Sequence, residues 1–276
     1  MIEYTKENPL RCFYAFAGYN SQKMALQRLA KNYPGFHHVC VGWSEIDENA
    51  IKANNAVFPE DADKNFGDIS KIDWANVPDF DLFTYSSPCQ DISASGQQAG
   101  LEEGSGTRSS LLWECKRAII AKKPRFLMLE NVKALISAKF LPFLHQWQTW
   151  LNNQGYENFT QVLNAKDYGV PQNRERVFMI SILRGGQDVK YYFPKKIKLE
   201  KRIKDILEPQ VDESFYLSDK ALEYFCKVNN GIKDSEENTC VGKVSKSQDG
   251  VVSGVKAIAP TLTAGHANQP KLFNEE

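Results

Sequence analysis

The chain has 276 residues, 42% of them apolar and 25% charged, which suits a globular protein with one large domain and a smaller second unit. Lys and Arg number 34 and so do Asp and Glu, so no global basic excess marks a nucleic-acid partner, and any such contact needs a local basic face. No apolar run approaches the roughly 20 residues of a membrane span, and Met1 to Glu7 lacks the basic-then-apolar pattern of a secretion signal; a cytoplasmic protein without membrane contact is expected.

Residues 11–17 read as a buried strand, and Ser21 to Asn32 follows with helical periodicity at Met24, Leu26 and Leu29. The turn between them, Phe16-Ala17-Gly18-Tyr19-Asn20-Ser21, suits a nucleotide-type loop. Gly18 lets backbone approach a ligand, Asn20 tolerates left-handed φ, and Ser21 can cap the helix. Residues 38–43 form a second strand, ending in Ser44-Glu45-Ile46-Asp47 before a helix from Glu48 to Asn55. An acid at such a strand end suits a ribose diol, which offers two hydroxyl donors to one carboxylate. Asp47 also reads as a helix N-cap. Asp68-Ile69 pairs an acceptor with an apolar residue, as an adenine ring requires.

Residues 81–85 form the next strand, which runs into Ser87-Pro88-Cys89-Gln90. Proline fixes φ and removes a donor, so Pro88 holds the Cys89 sulfur on a stiff turn at the sheet edge, where open α/β sheets bind ligands. The other cysteines, at 12, 40, 115, 226 and 240, form no Cys-x-x-Cys pair and no Cys/His cluster; free thiols and no metal site are expected. A helix over 109–122, a strand over 125–129 and a helix over 140–152 come next. Glu130-Asn131-Val132 closes that strand, and an acid beside an apolar strand suits proton donation near neutral pH. Gln172-Asn173-Arg174-Glu175-Arg176 precedes a long apolar strand to Leu183, and an arginine there can bind a carbonyl oxygen or pair with Glu175. Repeated βα units predict a mostly parallel sheet covered by helices on both faces.

After Gly185-Gly186 the chain turns polar and lysine-rich, with a short helix near 219–227 and a Gly/Ser/Asn-rich stretch from 229 to 254. Lys195 to Lys204 reads either as a basic face for nucleic acid or as a solvated amphipathic face.

Taken in order, Phe16-Ala17-Gly18, Glu45, Gly67-Asp68, Pro88-Cys89-Gln90, Glu130-Asn131-Val132 and Gln172-x-Arg174-x-Arg176 resemble the cytosine-5 DNA methyltransferases. Ser93, Ser95, Gly96 and Gly100, and Arg108 to Leu112, resemble further family blocks. The resemblance implies an α/β fold with a Rossmann-like sheet that uses S-adenosylmethionine. It also implies a catalytic domain over 1–185 and a smaller, loop-rich target-recognition region over 186–276. By it, Cys89 adds to carbon 6 of a flipped cytosine, Glu130 donates to ring nitrogen 3, and Arg174 and Arg176 lie in the reacting crevice. Phe16, Gly18, Asn20, Ser21, Glu45, Ile46, Asp68, Ile69, Pro88 and Leu111 lie where the family holds the methyl donor, which leaves as S-adenosylhomocysteine. The loop over 90–108 resembles a lid over the flipped base.

Two departures stand out. The family has Gly-x-Gly-Gly where this chain has Gly18-Tyr19-Asn20-Ser21. Pro260 to Ala264 resembles the end of the target-recognition region, and the family's two closing blocks do not follow it. A truncated gene, a split enzyme completed by a second polypeptide, and a complete short form are the alternatives. An RNA cytosine methyltransferase and an inactive subunit are the rival readings to an enzyme acting on double-stranded DNA in restriction-modification.

Overall fold

The computed structural model describes residues 3–88, 108–210, 212, 218, 220, 242–243, 251–259 and 271–273. The chain divides into two compact units, 1–162 with 176–193 and 163–175 with 194–276. The expected helix near 219–227, the segment 90–107 and Cys89 lie outside the described residues.

The first unit is built on strands β1 (Leu10–Ala15), β2 (His38–Ser44), β3 (Leu82–Tyr85), β4 (Phe126–Val132), β5 (Tyr156–Asn164) and β6 (Glu175–Leu183), in the order β2-β1-β3-β4-β6-β5. Pairings β1/β2, β1/β3 and β3/β4 are parallel, while β4/β6 is antiparallel. The sheet is therefore mixed, with its parallel half formed by the βα repeats. The residues of β5 run Tyr-Glu-Asn-Phe-Thr-Gln-Val-Leu-Asn, and sequence periodicity did not announce it. It is an edge strand, and polar side chains blunt such an edge against pairing with other chains.

Helices α1 (Ser21–Asn32), α2 (Glu48–Val57), α3 (Cys115–Lys122) and α4 (Leu141–Asn153) connect the strands. The helix expected over 109–122 begins as a 3-10 turn, Arg108–Glu114, and becomes α-helical only at Cys115. It ends with Lys123 in the left-handed region, its N–H donating to the Ile119 carbonyl, because the following Pro124 cannot continue it.

Strand β1 is buried on both faces. Phe13 and Ala15 enter the core shared with Trp74, Phe80, Phe83 and Trp147, while Cys12 and Tyr14 join Cys40 and Trp43 on the other side. That is why it reads as a continuous apolar run. Ring contacts link Phe13 to Trp74 at 5.2 Å, Phe83 to Tyr85 at 5.3 Å and Tyr85 to Trp147 at 6.0 Å. Two buried polar ends find partners, with Trp147 Nε1 donating to Tyr85 Oη at 3.2 Å and Tyr156 Oη to the Pro124 carbonyl at 2.6 Å. A Cβ at Gly42 would lie 2.7 Å from ring carbons of Phe13 and Phe66, so only glycine lets these rings close on β2.

In the second unit, β7 (Gly242–Lys243) pairs antiparallel with β8 (Val251–Gly254), and β8 pairs parallel with β9 (Lys271–Phe273). Ile203, Val252, Val255 and Ala257 are buried there. No helix among the described residues is long and apolar enough to cross a membrane.

Helix α1 is seated by a buried ionic cluster. Lys23, 4% exposed, pairs with Asp61, 5% exposed, and with Glu60 at 2.7 Å, and lies 4.0 Å over the Phe58 ring. Lys64 reaches Asp61 at 2.7 Å. Burial pushes the Asp61 carboxyl up, but hydrogen bonds from Lys23 and Lys64 outweigh it and hold the group below its ordinary range. A depressed folded-state pKa stabilises above the unfolded value, and that stability is lost as pH falls through it. Asp61→Asn should therefore cost about 3 kcal/mol at pH 7, the low end for breaking a buried pair, because it leaves the buried Lys23 ammonium to the exposed Glu60. Its penalty should shrink below about pH 4, as read by urea unfolding of both proteins across pH.

Candidate active site

The carboxyl ends of β1, β2, β3 and β4 share one edge of the sheet because these strands run parallel. The start of the antiparallel β6 lies at the same edge, with Arg176 opposite Val132 in register.

The loop after β1 folds through three left-handed residues, Phe16 (φ 54°), Gly18 (φ 55°) and Asn20 (φ 64°). Asn20 sits in this region as expected, and its side chain, not that of Ser21, caps α1 by accepting from the Lys23 N–H at 3.3 Å. Phe16 in the same region was not foreseen, since a bulky side chain there is strained. Such strain gathers at ligand sites. Space around the Gly18 α-carbon is open, with nothing within 4 Å of a Cβ placed there.

Glu45 ties this loop to the end of β2. Its Oε2 accepts the Gly18 N–H at 2.9 Å, and its Oε1 accepts the Ile46 and Asp47 N–H groups at 2.8 and 2.9 Å. A carboxylate has about four acceptor positions, so three backbone donors leave room for one hydroxyl. Asp47 caps α2, as read from the sequence, by accepting from Ala50 N–H at 2.8 Å. Ile46 is 66% exposed, whereas Ile69 is 3% exposed and packs into the core. Asp68 accepts the Ser70 hydroxyl at 2.7 Å and the Ser70 N–H at 3.0 Å. The hydroxyl is the main reason its carboxyl lies below the usual range, and it stays an ionised acceptor at neutral pH. Leu111 is half-buried in the 3-10 turn before α3.

Strand β3 exits through Ser86, Ser87 and the half-buried Pro88 toward Cys89. Two side chains hold this exit, and neither had been assigned a role. Gln22 on α1 donates to Ser86 Oγ at 3.1 Å while accepting from Ser21 Oγ at 3.2 Å. Asn131 on β4 donates to the Ser87 carbonyl at 3.2 Å and its hydroxyl at 3.3 Å, and both residues are 4% exposed. The Glu-Asn-Val motif already contained the signal: a buried amide must find partners, and the nearest lie on the adjacent strand.

Next to Asn131, Glu130 pairs with Arg176, Nε to Oε1 at 3.2 Å, with side chains 22% and 16% exposed. The structure thus brings Arg176 to the acid. Arg174 belongs to the second unit, where its N–H donates to Asn164 Oδ1 at 3.1 Å and its carbonyl accepts from Ala165 at 3.0 Å.

This edge combines an open, strained turn, an acid with spare acceptor capacity, and a carboxyl oriented by a guanidinium. The family model of C-5 cytosine-specific DNA methylases matches residues 10–271. The chain is 41% identical over 259 residues to the type II methyltransferase M2.ScrFI of Lactococcus lactis, covering 75% of this chain and 70% of that protein. It is 37% identical over 235 residues to the orphan methyltransferase M.SssI of Spiroplasma monobiae, covering 82% of this chain and 59% of the relative. The fold is similar to that of the Dnmt2 methyltransferase of S. pombe, with a TM-score of 0.66 at 18% identity over 97% of this chain and 78% of that one. The sheet is accordingly the Rossmann-like one of these methyltransferases. The chain belongs to the C-5 cytosine-specific DNA methylase family.

Proposed function

We propose that this chain methylates carbon 5 of a cytosine extruded from duplex DNA, through a transient bond between Cys89 and carbon 6. The observation that supports this best is the Glu130–Arg176 pair at 3.2 Å, one strand away from the Ser87-Pro88 exit that leads to Cys89, in a member of this family. Carbon 5 lies in an aromatic ring and is a poor nucleophile until the ring is activated covalently. The Cys89 thiolate adds to carbon 6, and the displaced electron pair makes carbon 5 nucleophilic. Glu130 donates to ring nitrogen 3 and relieves the charge that builds there. Arg176 holds the ring carbonyl oxygen and orients Glu130, with Arg174 as a second cation of the same motif. After carbon 5 gains its methyl group, a base takes the proton there and the Cys89 sulfur leaves.

The donor-site residues fit S-adenosylmethionine, which when bound supplies an electrophilic methyl group. Glu45 has acceptor capacity for a ribose hydroxyl, and Gly18 leaves open space in a strained turn. Ile46 offers an exposed apolar face, while Asp68 is an ionised acceptor for an amino group. Phe16, Asn20, Ser21, Ile69, Pro88 and Leu111 complete the proposed surround. Residues 1–185 form the proposed catalytic domain and 186–276 the proposed target-recognition region. The family supports a place in DNA modification; double-stranded DNA as partner and the cytoplasm as location belong to the proposal. The chain spans 70% and 59% of the length of the Lactococcus lactis and Spiroplasma monobiae relatives.

Incubation with a 5-fluorocytosine duplex and S-adenosylmethionine tests the chemistry. Fluorine at carbon 5 blocks the last elimination, so a denaturation-stable adduct should accumulate with the native chain and be absent in Cys89→Ala. No adduct with the native chain, or an equal one in Cys89→Ala, would overturn the reading. Glu130→Gln should slow methylation by roughly 10²–10⁴-fold, the usual contribution of a general acid. Asn131→Ala should lower stability by about 1–3 kcal/mol in urea unfolding, because it leaves the buried Ser87 groups unpaired, and it should slow adduct formation with the fluorinated duplex.

A further inference from the structure

We propose that residues 194–206 form a strap that tracks the phosphate backbone of duplex DNA, using the ammonium groups of Lys195, Lys198, Lys201 and Lys204. This rests on the reading that DNA is the partner, and it adds the surface that engages it. In a chain of zero net charge, the strap carries six cations against two acids, Glu200 and Asp205.

The stretch is not an amphipathic helix. Residues 190–202 have no helical structure, and only a 3-10 turn follows over Ile203–Ile206. Backbone and side-chain bonds within the second unit hold the strap in place. The Ile197 N–H donates to the Asp167 carbonyl at 2.9 Å, and Tyr168 Oη reaches the Pro194 carbonyl at 3.2 Å. The Ile203 N–H donates to Ala257 at 3.1 Å, the Lys204 N–H to Val255 at 2.8 Å, and Ile203 itself is buried.

The six cations divide by role. Lys196 pairs with Asp167 at 2.7 Å, and the Arg202 guanidinium bonds the carbonyls of Leu199 and Lys201 at 3.2 and 3.1 Å. Lys195, Lys198, Lys201 and Lys204 are exposed, and no carboxylate among the described residues pairs with them. They recur at every third position. Between Lys195 and Lys201 the chain is non-helical, and extended chain advances about 3.3 Å per residue, so a step of three covers at most roughly 10 Å there. One DNA strand carries a phosphate about every 3.4 Å of axis, so lysines this far apart can reach separate phosphates. An anchored row of exposed cations with no carboxylate partner among the described residues suits a regular polyanion and reads no sequence.

The test is the salt dependence of binding to a duplex without cytosine, with methylation of a cytosine duplex followed in parallel. Changing all four lysines to Gln should reduce the slope of log K against log salt by about 3–4, near 0.9 per lost phosphate contact. Maximal methylation rate at saturating DNA should stay within about twofold while KM for DNA rises. A control changing Lys6, Lys31, Lys52 and Lys123 to Gln should leave the slope unchanged. An unchanged slope in the strap variant, equal losses in the control, or a loss seen only with single-stranded RNA would overturn the inference. A native chain that binds with the full slope but does not methylate would overturn the proposed function and leave the strap standing.

Discussion

Parallel strands cannot be joined by a tight turn, so every crossover in β1, β2, β3 and β4 returns the chain to the same edge of the sheet. That constraint gathers residues from sequence positions 16, 45, 87 and 130 at one edge. Local locks then refine the edge. Asn131 binds Ser87 across adjacent strands, Gln22 binds Ser86, and Glu45 binds the Gly18 N–H. Each lock ties a segment at this edge to a neighbouring element, and each fixes backbone next to a proposed reacting or binding group.

The turn after β1 shows how strain and support are balanced. Two non-glycine residues, Phe16 and Asn20, stand in the left-handed region there, at a cost of order 1–3 kcal/mol each. The surroundings offset it. Glu45 takes the Gly18 N–H, Asn54 donates to the Gly18 carbonyl at 3.4 Å, and the Lys23–Asp61 pair roots the helix that begins at the turn. A turn held this way is already shaped before a ligand arrives, which lowers the ordering cost of binding.

Much of this architecture was legible in the residues. Strands buried on both faces announce themselves as apolar runs, and the runs ending in Tyr85, Leu129 and Leu183 gave β3, β4 and β6 nearly to the residue. Asn20 and Asp47 were legible because their side chains have few other uses at a strand-to-helix junction. What stayed hidden depends on tertiary partners. The edge strand β5 is polar, so its pattern resembles a loop until β6 pairs with it. The left-handed φ of Phe16 contradicts local preference and holds only because its neighbours enforce it. Gln22 and Ser86 are 64 positions apart, and no local rule links an exposed glutamine to a serine at that distance. The Lys195–Lys204 stretch was ambiguous because a charge run does not say whether acids elsewhere will neutralise it; among the described residues Asp167 pairs with Lys196.

The central claim is that the thiol carried by the β3 exit and the acid ending β4 act on one base from adjacent strands. A crystal structure of the chain bound to its fluorinated duplex tests this most directly. The account predicts the Cys89 sulfur bonded to carbon 6 and a Glu130 carboxyl oxygen within hydrogen-bond distance of ring nitrogen 3 of the same cytosine. A bonded cytosine whose nitrogen 3 faces another group, with Glu130 turned away, would contradict it.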